Sequence, residues 1–177
     1  IPAPYKERET ISYKTGKRIV EMVHEDLTPS KIMTKQAFEN AIYVASAIGA
    51  SSNCPPHLEA IARHMGIDFG IDNWQKLGHD IPLLVNCQPA GEHLMEGFFK
   101  AGGIPAIMQE LIKNGKLHKN LITVTGKTIA ENLKEKITID KNVIKTFKNP
   151  LVKNAGFIVM KSNFFNSAVM KTSVISP

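Results

Sequence analysis

Apolar residues recur at helical spacing through the first part of the chain. Over residues 7–25, Ile11, Ile19, Met22 and Val23 lie around Gly16 and predict a helix, which Thr28-Pro29-Ser30 interrupts. Thr34 suits an N-cap, and Phe38, Ala41, Ile42, Ala45 and Ile48 form one apolar face of a helix that Gly49 ends. Ser51, Ser52 and Asn53 supply capping side chains for the next helix. Pro55 and Pro56 suit its first turn, Leu58, Ile61, Ala62 and Met65 its buried stripe, and Gly66 its end. Asp72 can cap a short helix around Trp74 and Leu77. Pro82 to Asn86 is a short apolar run followed by Gln88-Pro89-Ala90-Gly91, the pattern of a buried strand and a turn. Helices are predicted over 92–100, stopping at Gly102-Gly103, and from Pro105 to Asn114-Gly115.

Leu121 to Thr125 alternates as a strand, while Thr128–Lys134 and Lys141–Phe147 have helical spacing. Ala155–Met160 and Ala168–Val174 read as two strands around an Asn163–Ser167 turn. Helices and strands thus alternate to about residue 125, which predicts a layered α/β domain. The last stretch reads as the opening hairpin of an all-β unit. Alone, such a hairpin is expected to be weakly held, with fast-exchanging amides over 156–174. No internal repeat or low-complexity linker is visible.

Composition narrows the function classes. The chain has 177 residues, 43% hydrophobic and 21% charged, with a mean hydropathy of -0.11. These values suit a soluble globular chain of one domain, or one domain plus the edge of another. Its longest apolar runs are too short to span a bilayer. The net charge is +6, yet only Arg8, Arg18 and Arg63 are arginines and the lysines are scattered. That pattern predicts a lysine-decorated surface rather than a nucleic-acid partner. Cys54 and Cys87 form neither a Cys-x-x-Cys motif nor a disulfide scaffold, so a reducing, cytoplasmic setting is expected. The opening Ile1-Pro2-Ala3-Pro4 lacks a signal-peptide pattern, and the missing initial Met hints at an excerpt of a longer polypeptide.

Candidate chemistry is sparse. Gly49-Ala50-Ser51-Ser52-Asn53 places hydroxyls, an amide and free N–H groups before a helix start, where anions bind readily. Plain capping explains the same residues and is favoured on physics alone. His57 and His64 lack the spacing and neighbouring acid of a metal pair. Asn86, Gln88 and Glu92 follow a strand end and could face a cleft. Gly102-Gly103 punctuates two helices, although the glycines would also permit close backbone approach. Gly126-Lys127-Thr128 has the ending of a phosphate-binding loop, but Leu121 stands where its first glycine should be. No Ser-His-Asp or Cys-His set can be assembled.

Several ordered motifs carry a family resemblance. They are Ala37-Phe38-Glu39-Asn40-Ala41, Gly49-Ala50-Ser51-Ser52-Asn53 with His57-Leu58, Pro89-Ala90-Gly91, Ala101-Gly102-Gly103-Ile104-Pro105-Ala106, Leu121 to Thr128, and Glu131-Asn132-Leu133. The chain resembles the iron–sulfur dehydratases that include dihydroxy-acid, phosphogluconate and pentonate (xylonate, arabinonate) dehydratases. Ile1-Pro2-Ala3-Pro4 and the Gly156–Ser173 hairpin extend the match over essentially the whole chain. Ala50 and Ser52 depart from the family's usual Gly-Gly-Ser-Thr-Asn. Ile61 to Gly66, Trp74 and Asp80 to Asn86 look most like the sugar-acid branch, which ranks an aldonate above dihydroxy-isovalerate.

The resemblance implies a hydro-lyase that eliminates water from a 2,3-dihydroxy acid and yields a 2-keto acid. It implies a 2Fe-2S cluster acting on the C3 hydroxyl, Mg²⁺ at the carboxylate and C2 hydroxyl, a serine base, and a homo-oligomer (dimer or tetramer). The family's cluster cysteines, metal-binding acids, modified lysine and catalytic serine match no position of this chain. The expectation is therefore a fragment, inactive alone and binding neither cofactor. Residues 1–148 would be the C-terminal part of a layered α/β/α domain and 149–177 the first strands of a β-barrel-like domain. No catalytic, cofactor-binding or metal-binding residue is assigned. Ser51, Ser52 and Asn53 are the substrate-pocket candidates. A non-catalytic remnant that binds partners, or an unrelated lysine-rich binding module, are the readings from other classes.

Overall fold

The computed structural model describes residues 1–135, 137 and 139–174. Helix α1 spans Glu7–His24, α2 Pro29–Ile32, α3 Lys35–Ala47 and α4 Cys54–His64. A π-helical turn covers Trp74–Gly78, followed by α5 over Met95–Lys100, α6 over Gly103–Lys113 and α7 over Ile129–Asn132. The chain then forms strands β1, Phe157–Met160, and β2, Ala168–Lys171, before a 3-10 turn over Thr172–Val174. The architecture is mixed α/β, as the sequence predicts.

Helix α3 starts where its pattern places it, because the Thr34 side chain accepts a hydrogen bond from the Ala37 N–H. Its inner face, Phe38, Ile42 and Ala45, joins a cluster with Ala62, Phe69, Trp74 and Phe157. A second cluster gathers Leu84, Val85, Phe98, Ile107, Leu111, Val143 and Ile144. Asn40 is buried on α3 and clamps the segment before residue 120. Its Nδ2 donates to the His118 carbonyl at 3.0 Å, and its Oδ1 accepts from the His118 N–H at 2.8 Å.

Every residue from Ile81 to Cys87 is buried in an extended spine. The expected strand over Pro82–Asn86 is seen as isolated bridges, Leu83 to Val152 and Val85 to Ile144, both antiparallel. That pairing corrects the helix expected over Lys141–Phe147. The Asn86 N–H donates to the Val143 carbonyl at 2.8 Å, and the Lys145 N–H donates to the Leu84 carbonyl at 2.7 Å. A helix there would leave those buried spine groups without partners.

Other differences have equally local causes. The strand expected over Leu121–Thr125 shrinks to one isolated antiparallel bridge, Ile122 to Thr128, because the Thr123 and Thr125 hydroxyls bond Lys127 and Asn132 around a tight turn. Asp72 caps nothing and pairs with Lys161 at 3.0 Å. On α1 only Met22 is buried, whereas Ile11, Ile19 and Val23 face outward with Tyr13 and Val20. Arg18 ties that helix down, bonding Glu25 twice at 2.7 Å and the Val124 carbonyl at 2.6 Å. Ile61 is exposed on α4, leaving Ala62 as that stripe's fully buried member.

The closing hairpin pairs Phe157 with Lys171 and Met160 with Ala168. It is anchored at its base. Phe157 packs edge-on against Trp74 with ring centroids 4.8 Å apart, and the Val159 N–H donates to Gln75 Oε1 at 2.9 Å. Residues 175–177, the end of the segment expected to open a β-barrel-like domain, lie outside the described residues.

Candidate functional site

A cleft of about 570 Å³ opens where three parts of the fold converge. The turn from α3 to α4 supplies Ser51 and Ser52. The end of the buried spine brings Cys87 and Gln88, and Lys171 of β2 closes the side. Gly49 shapes the first wall. Its φ is +61°, a sign that side-chain-bearing residues rarely adopt, and a Cβ there would lie 3.0 Å from both Leu83 Cδ1 and Ser173 Oγ. A broader depression of about 600 Å³ runs along the outer face of α4, but one helix alone walls it and no groups converge there.

Of the sequence candidates, Ser51 and Ser52 line the cleft and Asn53 does not. Ser51 Oγ accepts from the Asn53 N–H at 3.2 Å. Asn53 makes no side-chain capping bond to α4. Capping by this trio is therefore not what the structure uses, and both serine side chains remain exposed to the cleft.

The strand-end reasoning succeeds at Gln88 and fails at Asn86 and Glu92. Asn86 is buried and closes the turn, its Oδ1 accepting from the Glu92 N–H at 3.0 Å and its Nδ2 donating to the Asn142 carbonyl at 3.3 Å. Glu92 is exposed. Gly102 and Gly103 have φ values of +115° and +59° and link α5 to α6, so backbone sign explains them without any ligand.

Lys171 is the lining residue the residue patterns did not single out. It is the one charged side chain among those lining the cleft. Among the described residues it has no carboxylate or hydrogen-bond partner. Partial burial pushes its ammonium pKa down, while Cys54 opposes that shift. The available signal was its place at the end of the apolar strand Ala168-Val169-Met170, in register with buried Phe157.

Burial raises the pKa of the Cys54 thiol, with Lys171 acting in the opposite sense, and burial likewise raises that of Cys87. Cys87 Sγ lies 3.6 Å from the Leu94 carbonyl. Neither thiol is poised as a thiolate ligand. Among the described residues no three His, Cys, Asp or Glu side chains are grouped to hold a metal ion. The described residues therefore offer no ligand set that fits an iron–sulfur cluster or Mg²⁺. Among the same residues no helix is long and apolar enough to cross a membrane.

Comparison with known proteins places this geometry in context. The family described as dihydroxy-acid/6-phosphogluconate dehydratase N-terminal matches residues 1–132. The D-xylonate dehydratase of Caulobacter vibrioides is 51% identical over 99% of this chain, which covers 29% of that protein. The L-arabinonate dehydratase of Rhizobium leguminosarum bv. trifolii is 44% identical over 100% of the chain and is covered over 31% of its length. The dihydroxy-acid dehydratase of Acetivibrio thermocellus is 42% identical, also over 100% of the chain, with 32% of its length covered. The chain thus spans under a third of each of these relatives.

Proposed function

Because the chain belongs to the dihydroxy-acid/6-phosphogluconate dehydratase family, we propose that it is the cleft-bearing section of a hydro-lyase acting on sugar acids. The reaction is loss of water from a 2,3-dihydroxy acid, an aldonate such as a pentonate, to give a 2-keto-3-deoxy acid. The observation that carries the substrate class is the 51% identity to a D-xylonate dehydratase, against 42% to a dihydroxy-acid dehydratase. The cleft supports it, since hydroxyl, amide and ammonium side chains line it together with the apolar Ile48, Val85 and Phe98.

Eliminating hydroxide needs an electrophile at the leaving oxygen and charge neutralisation near the α-proton. No residue of this chain is assigned either task. On this reading the base, the 2Fe-2S cluster and Mg²⁺ belong to parts of the protein beyond these residues, the chain alone is inactive, and the whole protein is a cytoplasmic homo-oligomer.

The substrate class is tested by kinetics on the protein that carries this chain. Its kcat/KM for D-xylonate or L-arabinonate is expected to exceed that for 2,3-dihydroxyisovalerate by about tenfold or more, roughly 1.4 kcal/mol of transition-state discrimination. The reverse order would move the protein to branched-chain amino-acid biosynthesis.

A further inference from the structure

The cleft has an electrostatic asymmetry that its serines do not explain. Lys171 is the single charge among its lining residues, and no acid lines it. Four other lysines, all on the surface, have a carboxylate within 4 Å among the described residues: Lys31, Lys100, Lys113 and Lys161. Lys161 sits 3.0 Å from Asp72, Lys31 2.7 Å from Asp26 and Lys100 2.6 Å from Glu96. Lys171 is instead half-buried and lacks such a partner among the described residues. Partial burial of an ammonium with no counter-charge disfavours its charged form, and an anion in the cleft would offset that.

A second, independent group faces the same wall. Ser173 is 6% exposed, and its Oγ has no hydrogen-bond partner among the described residues. It packs against Gly49, which lines the cleft. Buried hydroxyls are normally satisfied, so an unused one against the Gly49 wall is open to an external polar group.

We propose that Lys171 is the anion-pairing residue of the cleft, pairing with one carboxylate oxygen of a small polyhydroxylated acid whose hydroxyls meet Ser51, Ser52 and Gln88. This rests on the sugar-acid reading above and adds a specificity residue to it. One ammonium matches the single charge of a carboxylate, which presents two oxygens as acceptors. The hydroxyl and amide groups of Ser51, Ser52 and Gln88 suit an alcohol chain, while Ile48, Val85, Met95 and Phe98 cover its C–H faces. A neutral polyol would leave the ammonium unpaired, so the site discriminates acid from alcohol by charge.

The test uses the protein that carries this chain, as wild type and as Lys171→Met, Lys171→Gln and Lys171→Arg. Lys161→Met serves as a control at an exposed, paired lysine. Calorimetric titration with D-xylonate, with xylitol as the neutral probe, is read beside KM and kcat for D-xylonate. The expected result is a ten- to hundredfold weaker D-xylonate Kd, to order of magnitude, and a matching rise in KM for Lys171→Met and Lys171→Gln. Lys171→Arg should recover most of the loss, kcat should change little, and Lys161→Met should match wild type. Unchanged Kd and KM in a folded Lys171→Gln protein would overturn the inference while leaving the dehydratase reading intact. Lys171-dependent binding of D-xylonate without turnover by the wild type would support the site and overturn the reaction. Binding of xylitol as tight as that of D-xylonate would overturn the assignment of Lys171 to an anion.

Discussion

Asn40 shows how a single residue can carry a motif for structural reasons. The Ala37-Phe38-Glu39-Asn40-Ala41 run is one of those on which the family resemblance rests, yet Asn40 touches no cleft. It replaces a missing backbone pair, giving and receiving one hydrogen bond with the main chain of His118. Removing that side chain leaves the part-buried N–H and C=O of His118 to be satisfied elsewhere. Asn40→Ala should therefore destabilise the fold by about 1–3 kcal/mol. Asn40→Asp, which keeps the acceptor and loses the donor, should fall between Ala and wild type at neutral pH. Urea unfolding followed by circular dichroism measures both, and an Asn40→Ala midpoint equal to wild type would remove the clamp from the account. At this scale the sequence was legible where one residue does one local job. Thr34 caps α3, and the Thr128–Glu131 capping box starts α7. It was less legible where a polar side chain serves a distant backbone, as at Asn40, or closes its own turn, as at Asn86. Lys171 escaped for the same reason, since its role depends on what β2 packs against.

Whole elements were predictable when their own periodicity decided them. Helices α1, α3, α4 and α6 follow their patterns to within a few residues, and the hairpin lies where alternation placed it. Two segments failed because their partners outweighed their spacing. Lys141–Phe147 has apolar positions at helical intervals, but Val143 and Ile144 are β-branched, and the Val143 carbonyl and Lys145 N–H supply the hydrogen bonds that the buried spine lacks. In Leu121–Thr125 the threonine hydroxyls serve the Gly126 turn, which competes with any ladder. The hairpin itself is better held at its base than a free two-stranded unit would be. Phe157 is buried among Phe38, Ile42 and Trp74, and Thr172 returns to Gly156 through its N–H at 3.2 Å. Its tip, residues 161–167, is exposed throughout. Amide hydrogen exchange should therefore split the hairpin, with slow exchange at the β1 amides nearest Phe157 and fast exchange across 161–167. Uniformly fast exchange from 156 to 174 would restore the expectation of a loosely attached unit.

At the scale of the molecule, the family and the mixed α/β class were both readable, because they rest on ordered motifs and alternating element types. What the residues did not announce is how the parts meet. The two hydrophobic clusters are bridged by α3, which faces Phe69 and Trp74 with one side and the buried spine with the end at Ala47. The cleft forms where that end, the spine and β2 converge, so its lining comes from positions as far apart as Ser51 and Lys171. Helical or strand periodicity cannot encode such a meeting point. Under the proposed function, these residues would shape and charge a pocket for a hydroxy acid, with the eliminating groups supplied beyond them. The measurement that bears on this most directly is release of a 2-keto acid from D-xylonate by the protein that carries this chain, read by proton NMR of the reaction mixture. The account predicts loss of one water per substrate and the appearance of a 2-keto-3-deoxy acid. A folded, cofactor-loaded protein that leaves D-xylonate, L-arabinonate and 2,3-dihydroxyisovalerate all unchanged would contradict it.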